Sequence, residues 1–275
     1  MKRKLMGWGI ALGMIGLASQ SALADIPYLN GFETPSNLND WYNGASQAGV
    51  GITRVASGGG TLGYTAASGG FYAEIQNVEN IQTGLGNAGG TIFGSTVATH
   101  FSTGFKESID IYVDTSKWLP QGAVGSNLVI SNRPTTTSGA PPSGTADDFV
   151  NFIFTVSSPG HIDVSSDASP ALTTITTSGW YTFVTTFDPS AGFVQNDVFV
   201  YDALGNLQGT SGHYISTLPS ASMGGSGLTL VNPWRNGFAG DTIAIDNLQT
   251  SAIPEPLVLG LAPLALTLLR RRARH

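Results

Sequence analysis

Apolar and polar residues alternate along most of the chain. In FVNFIFTVSS, Val150, Phe152, Phe154 and Val156 fall on one side, and in WYTFVTTFDP Tyr181, Phe183 and Phe187 do the same. A period of two marks a strand with one buried face. FYAEIQN, ESIDIYVDTS, NDVFVYDALGNLQGT and DTIAIDNLQT read likewise. VFVYDALGNLQG predicts a hairpin in which Gly205-Asn206 supplies the positive-φ positions of a tight turn. The Pro-, Thr-, Ser- and Gly-rich stretch from Ser131 to Asp148 reads as an exposed loop between strands. No βαβ alternation and no internal repeat is visible. The pattern predicts an all-β fold, an antiparallel β-sandwich of jelly-roll type, built as one domain over residues 25–252.

Two segments depart from this rhythm, one at each end. At the start, Met1-Lys2-Arg3-Lys4 is followed by a short apolar run to Leu17 and then by Ala22-Leu23-Ala24. That order of charge, apolar core and small residues is a secretory signal peptide, residues 1–24, helical in transit and cleaved after Ala24. At the end, IPEPLVLGLAPLALTLLRRRARH occupies residues 253–275. Leu257 to Leu269 is thirteen residues, about 20 Å as a helix, against a hydrocarbon thickness of about 30 Å. Counted back to Ile253 it gives about 25 Å, so a short apolar C-terminal helix that anchors in a membrane transiently is the expectation. Arg270, Arg271, Arg272 and Arg274 would stay on the cytoplasmic side.

Composition agrees with strands and turns: charged residues are 11%, Gly numbers 36 and Cys is absent. An exported domain without cysteine draws no stability from disulfides. The basic residues sit mostly at the two ends. Residues 25–252 hold five basic against seventeen acidic residues, a net of −12. Such a body does not grip nucleic acid, and it suits a solvated surface or carboxylates gathered round a cation.

Pro254-Glu255-Pro256, the apolar run after it and the terminal Arg270, Arg271, Arg272 and Arg274 resemble the PEP-CTERM sorting signal of exopolysaccharide-producing Gram-negative bacteria. The resemblance implies processing by an exosortase-type membrane protease and release to the cell surface or extracellular matrix. It covers the tail alone and implies nothing about the body. NGFET (Asn30 to Thr34) with Asp40-Trp41, and IAIDNL (Ile243 to Leu248), are similar to the first and last strands of jelly-roll carbohydrate-recognition domains. Those include concanavalin-like lectin and glucanase sandwiches and galactose-binding-like modules. This second resemblance implies a structural Ca²⁺ fastening the termini, with Glu33 and Asp246 as ligands. The residues alone read equally well as an ordinary exposed acid at each strand end.

Catalytic chemistry finds little footing. A glycosidase needs two carboxyl groups about 5–5.5 Å or about 6.5–9.5 Å apart. Asp110 and Asp114 share a strand face but lie about 13 Å apart at 3.3 Å per residue, so any partner acid must come from another strand. The four histidines are scattered, no Gly-x-Ser-x-Gly elbow is present, and GVGITRVASGGG leads into a strand, not a helix that would cradle phosphate. No catalytic residue is nominated. Aromatic residues are the remaining candidates, since sugars pack on flat rings beside a few polar groups. Trp41 and Tyr42, and Trp234 and Arg235 in a turn-like NPWRNG, are the nominated rings and partners; for Trp41 and Trp234 core packing is the competing reading. The expectation is a non-enzymatic, carbohydrate-associated or structural surface protein with polysaccharide as partner. The alternatives are a glycan-active hydrolase or lyase, and a calcium-dependent adhesin.

Overall fold

The computed structural model describes residues 28–42, 52–76, 92–94, 104–118, 127–133, 150–167, 169–189, 192–211, 214–219, 230–236 and 242–253. Ala24, the tail residues Pro254, Glu255, Pro256, Arg270, Arg271, Arg272 and Arg274, and both expected terminal helices lie outside them. Among the described residues, no helix is long and apolar enough to cross a membrane.

The described strands are β1 (Tyr28–Asn30), β2 (Trp41–Tyr42), β3 (Ile52–Ala56), β4 (Phe71–Gln76), β5 (Ile92–Gly94), β6 (Phe105–Val113), β7 (Asn127–Arg133), β8 (Val150–Ser158), β9 (His161–Ser166), β10 (Ser169–Ile175), β11 (Gly179–Asp188), β12 (Phe193–Asp202), β13 (Leu207–Thr210), β14 (Tyr214–Pro219), β15 (Leu230–Asn236) and β16 (Thr242–Ala252). They form two antiparallel sheets. Sheet A runs β13-β12-β11-β6-β16-β4-β3, with β14 beside the start of β12 and β1 beside the second half of β16. Sheet B runs β10-β9-β8-β7-β15-β5-β2. The chain passes repeatedly from one sheet to the other, which gives the β-sandwich of jelly-roll type that the alternation predicts.

The core lies between the sheets and is lined by the predicted faces. Val150, Phe152, Phe154 and Val156 are buried from sheet B, Phe183 and Phe187 from sheet A, and Tyr181 is half-buried at the end of that row. Phe183 meets Phe152 and Phe154 edge-on at 5.3 and 4.9 Å between centroids. Each such ring removed from water stabilises the fold by roughly 1.5–3 kcal/mol. Trp41 is fully buried in this core beside Phe32, so its ring is not presented to a ligand and core packing is its role.

Three local details differ from the sequence reading. Trp234 and Arg235 stand in β15, not in a turn. Among the described residues β15 pairs with β5 at Leu230 and Val231, ahead of Pro233, and with β7 along its whole length. In the β12–β13 hairpin only Gly205 has a left-handed backbone, at φ 80°, whereas Asn206 does not. Gly205 N donates to Asp202 O, which closes a type I-like turn that needs a single positive-φ residue after it. The third detail is a bulge in β16. Asp246 pairs with Asp110 and Gln249 with Ser108, so Asn247, at φ 46°, is the extra residue. The bulge lets Ile245 and Leu248 both point into the core while Asp246 points out.

Candidate functional site

The outer face of sheet A is partly roofed by the β3–β4 connection, Ser57 to Gly70. Its two ends meet where Ser57 N donates to Gly70 O, the layout of an Ω-loop. Leu62, Tyr64 and Ala66 pack onto Val55, Tyr72, Ala244, Tyr112 and Trp180 of the sheet. Tyr64 stacks on Tyr112 at 3.8 Å, Trp180 meets Tyr112 edge-on, and Trp180 Nε1 donates to Thr65 O at 2.6 Å.

Carboxylates fasten this loop by accepting from it. Glu74 accepts from Thr61 N and Leu62 N, Asp246 from Ala67 N and Ser68 N, Glu33 from Gly70 N and Phe71 N, and Asp114 from the Tyr64 hydroxyl at 2.6 Å. The glycines permit the approach. At Gly60, φ 75°, an added Cβ would lie 2.4 Å from Glu74 Oε1. The GGG run therefore serves a carboxylate.

These contacts decide the calcium expectation. Ca²⁺ takes six to eight oxygens. Asp246 Oδ1 already accepts from Asn247 N and Oδ2 from two loop amides, and Glu33 is engaged by two more. Among the described residues no three Asp, Glu, His or Cys side chains come together as ligands. Glu33 and Asp246 do not fit the ion that the resemblance implied. They reach opposite ends of one short segment, Ala67 to Phe71, and the termini are joined by the β1–β16 ladder itself.

Beyond the roof, the outer face carries two rows across the strands. Register places Asp246, Asp110, Thr182, Tyr201 and Leu207 in one row, and Gln249, Ser108, Val184, Phe199 and Thr210 in the next. Thr182 Oγ1 donates to Asp110 Oδ1, and Asn247 Nδ2 to Asp110 Oδ2. Burial raises the Asp110 carboxyl above its ordinary range. Burial also raises Asp246, pushed up to about 7, and the Asp110 charge adds to this against the hydrogen bonds it accepts. Phe199 and Tyr201 are half-exposed, 6.3 Å between centroids and tilted by only 24°. Their strand buries Val194, Val198 and Val200 inward, so the larger rings face out beside hydroxyl, amide and carboxyl groups.

At the end of the same strands the sheets draw together and then part. A Cβ on Gly209 of β13 would sit 2.5 Å from the Leu172 carbonyl oxygen of β10, which measures how closely the two edges approach. Beside this pinch a concavity of about 390 Å³ opens between the β10–β11 turn and the β12–β13 hairpin. Tyr181 lies in it, its hydroxyl donating to Thr177 O, with Thr176, Asp202 and Gln208 around it. Asp202 accepts from Asn206 Nδ2, Asn206 N, Leu204 N and Gln208 Nε2, and these bonds hold its carboxyl below the usual range.

Of the nominated sugar-binding residues, Trp41 is buried, and the side chains of Tyr42, Trp234 and Arg235 lie outside what the structure describes. Sequence reasoning missed Phe199 and Tyr201. The available signal was the VFVY run, Val198 to Tyr201, in which both faces are apolar and the bulkier residues share one of them.

No family model matches the chain. No curated protein matches it in sequence either. Among solved structures, peanut lectin bound to a nine-residue peptide overlaps it at 11% identity and a TM-score of 0.40, over 83% of this chain and 98% of that one. The exoplasmic/lumenal domain of VIP36, in a form bound to Ca²⁺ and Man3GlcNAc, overlaps at 9% identity and 0.40, over 85% and 93%. Lectin II from Ulex europaeus overlaps at 10% identity and 0.36, over 82% and 98%. Similarity at this level assigns neither family nor ligand, and the sandwich stands on its own strand pairing.

Proposed function

We propose that this chain is an exported, non-catalytic carbohydrate-associated protein of the cell surface or extracellular matrix, sorted by its PEP-CTERM-like tail and processed by an exosortase-type protease. The observation that carries the carbohydrate reading is the half-exposed, near-parallel pair of rings Phe199 and Tyr201 on the outer face, beside Thr182, Ser108 and Asp110. Flat rings beside a few polar groups suit the apolar face and hydroxyl rim of a sugar. A body of net −12 with Asp110 on this face favours neutral over anionic glycans. The order of signal peptide, body, Pro254-Glu255-Pro256, apolar run and arginines supports the surface destination.

Retention of residues 25–252 on insoluble polysaccharides tests the reading. Phe199→Ala and Tyr201→Ala should each weaken retention about tenfold, the equivalent of about 1.4 kcal/mol. Unchanged retention in both variants overturns it.

One observation favours a glycan-cleaving alternative. Asp110 and Asp246 are directly opposed across β6 and β16, a register that sets their Cβ atoms about 4.5–5.5 Å apart and places two carboxyl groups side by side on one face. Access is lacking, because Asp246 is fully buried beneath Ala67 and Ser68. Release of new reducing ends from a retained polysaccharide, lost in Asp110→Asn, would establish that alternative in place of the non-catalytic one.

A further inference from the structure

We propose that Trp180 is a third ring of the sugar site: the aromatic surface begun by Phe199 and Tyr201 continues across to β11, and its ligand is a chain of linked neutral sugars, not a single sugar. This rests on the carbohydrate reading and adds to it a binding residue and a class of ligand.

Face and register are the first argument. In β11, Phe183 and Phe187 are buried in the core and Tyr181 packs against it, so Trp180, Thr182 and Val184 turn to the outer face. The contacts of Trp180 agree: it packs with Tyr72 and Tyr112 beneath the Ω-loop, and its Nε1 donates to Thr65 O of that loop. Phe199 and Tyr201 stand on the same outer face, because Val198 and Val200 beside them are buried inward. Thr182 is directly opposite Tyr201, and Trp180 is two residues from Thr182 along β11. Trp180 and Tyr201 are therefore diagonal neighbours, about 7–8 Å apart. With 6.3 Å between Phe199 and Tyr201, the three rings extend over roughly 14 Å. All three are half-exposed. A single sugar does not cover that span, and a chain does.

The second argument is that the indole is fixed before a ligand arrives. Tyr64 of the loop stacks on Tyr112 at 3.8 Å, Tyr112 meets Trp180 edge-on at 5.5 Å, and Thr65 O holds the indole nitrogen. Asp114 in turn accepts from the Tyr64 hydroxyl. A ring whose plane its neighbours already set gives up little freedom on binding. The Ω-loop thereby acquires a task beyond covering sheet A, which is to orient Trp180.

Polar capacity in the angle between the rings is the third. A chain passing from Tyr201 to Trp180 crosses Thr182 and the neighbouring Asp110. Asp110 Oδ1 accepts from Thr182 Oγ1 and Oδ2 from Asn247 Nδ2, one bond at each oxygen. A carboxylate offers about four acceptor sites, so two remain for a ligand. Sugar hydroxyls have protons to donate to them, whereas carboxylate or sulfate groups have none.

The test separates the third ring from the first two. The full chain is titrated with neutral linear oligosaccharides of glucose, mannose and N-acetylglucosamine, from disaccharide to hexasaccharide, by calorimetry and by tryptophan fluorescence. In the wild type at least one series should gain about tenfold in affinity between its disaccharide and its longer members, and the longer members should shift the emission. Trp180→Ala should lose that gain. A folded Trp180→Ala with the wild-type dependence on length overturns the proposal, as does a wild type whose affinity does not rise with length. If thermal melting shows Trp180→Ala unfolded, Trp180→Phe decides: the emission shift should vanish there, and an unchanged shift would come from another tryptophan and overturn the assignment. Retention on insoluble polysaccharide that is lost in Phe199→Ala but kept in Trp180→Ala would remove the third ring and leave the carbohydrate reading standing.

Discussion

Glu107 shows what a single residue contributes to this sandwich. It points inward from β6, fully buried, with Thr185 and Thr250 opposite it in the two neighbouring strands. Among the described residues neither of its oxygens has a hydrogen-bond partner, and burial drives its carboxyl well above the ordinary range. A buried polar group left unsatisfied costs about 1–3 kcal/mol, whereas an apolar group of similar shape does not incur that cost. Glu107→Leu should therefore raise unfolding free energy in urea by about 1–3 kcal/mol. A loss of stability would show that the carboxyl has a partner within the core. The alternation in ESIDIYVDTS placed Glu107 on the inner face, yet nothing in the sequence marks it as the acid left without a neighbour. That depends on which residues two other strands set beside it.

At the scale of elements, the Ω-loop is the part that sequence reading saw least. Ser57 to Gly70 carries few apolar residues and a glycine run, and its roof-like placement depends on acids far away in the chain: Glu33, Asp114 and Asp246. Glu33 and Asp246 were nominated through a resemblance as calcium ligands, whereas in the structure both accept from the loop, at Gly70 and Phe71 and at Ala67 and Ser68. Their partner was not legible, because backbone N–H groups carry no sequence signature. Asp246→Ala removes the acceptor for Ala67 N, Ser68 N and Asn247 N. We expect a loss of roughly 2–4 kcal/mol, with the 57–70 amides losing hydrogen-exchange protection before the rest of sheet A. Uniform loss of protection across the sheet would mean that the loop has no stability of its own to lose. The strands themselves were readable from period-two alternation, since one buried face enforces it; β15 was misread because Pro233 normally argues against a strand.

For the whole molecule, the raised carboxyls predict an unusual response to pH. Asp246, Asp110 and Glu107 bind their protons more tightly folded than unfolded, so folding takes up protons wherever the unfolded groups are ionised. Their contribution is fullest below the unfolded value near 4 and is lost as pH rises, through about 7 for Asp246. Asp114 acts in the opposite sense: burial raises it, but hydrogen bonds from Ser116, Tyr64 and Lys117 outweigh this, so its contribution is lost only in stronger acid. The melting temperature should thus fall between pH 5 and pH 8, and the fall should shrink in Asp246→Asn. A melting temperature that rises over this interval would contradict the assignment. Jelly-roll layering was legible because so many segments alternate, whereas the outward-facing rings were not, since both sides of VFVY, Val198 to Tyr201, are apolar and only the sheet partners decide which side is solvent.

The position of β16 has a consequence in time. This last described strand lies in the interior of sheet A, between β6 on one side and β4 and β1 on the other. A chain emerging from its N-terminus through a membrane would have β1, β4 and β6 outside with the slot between them still empty, and contacts of such long sequence separation form late. The protein is therefore committed to remain unfinished until residues 242–252 arrive, and for that interval the exposed edges of β4 and β6 are open to any other strand that reaches them first.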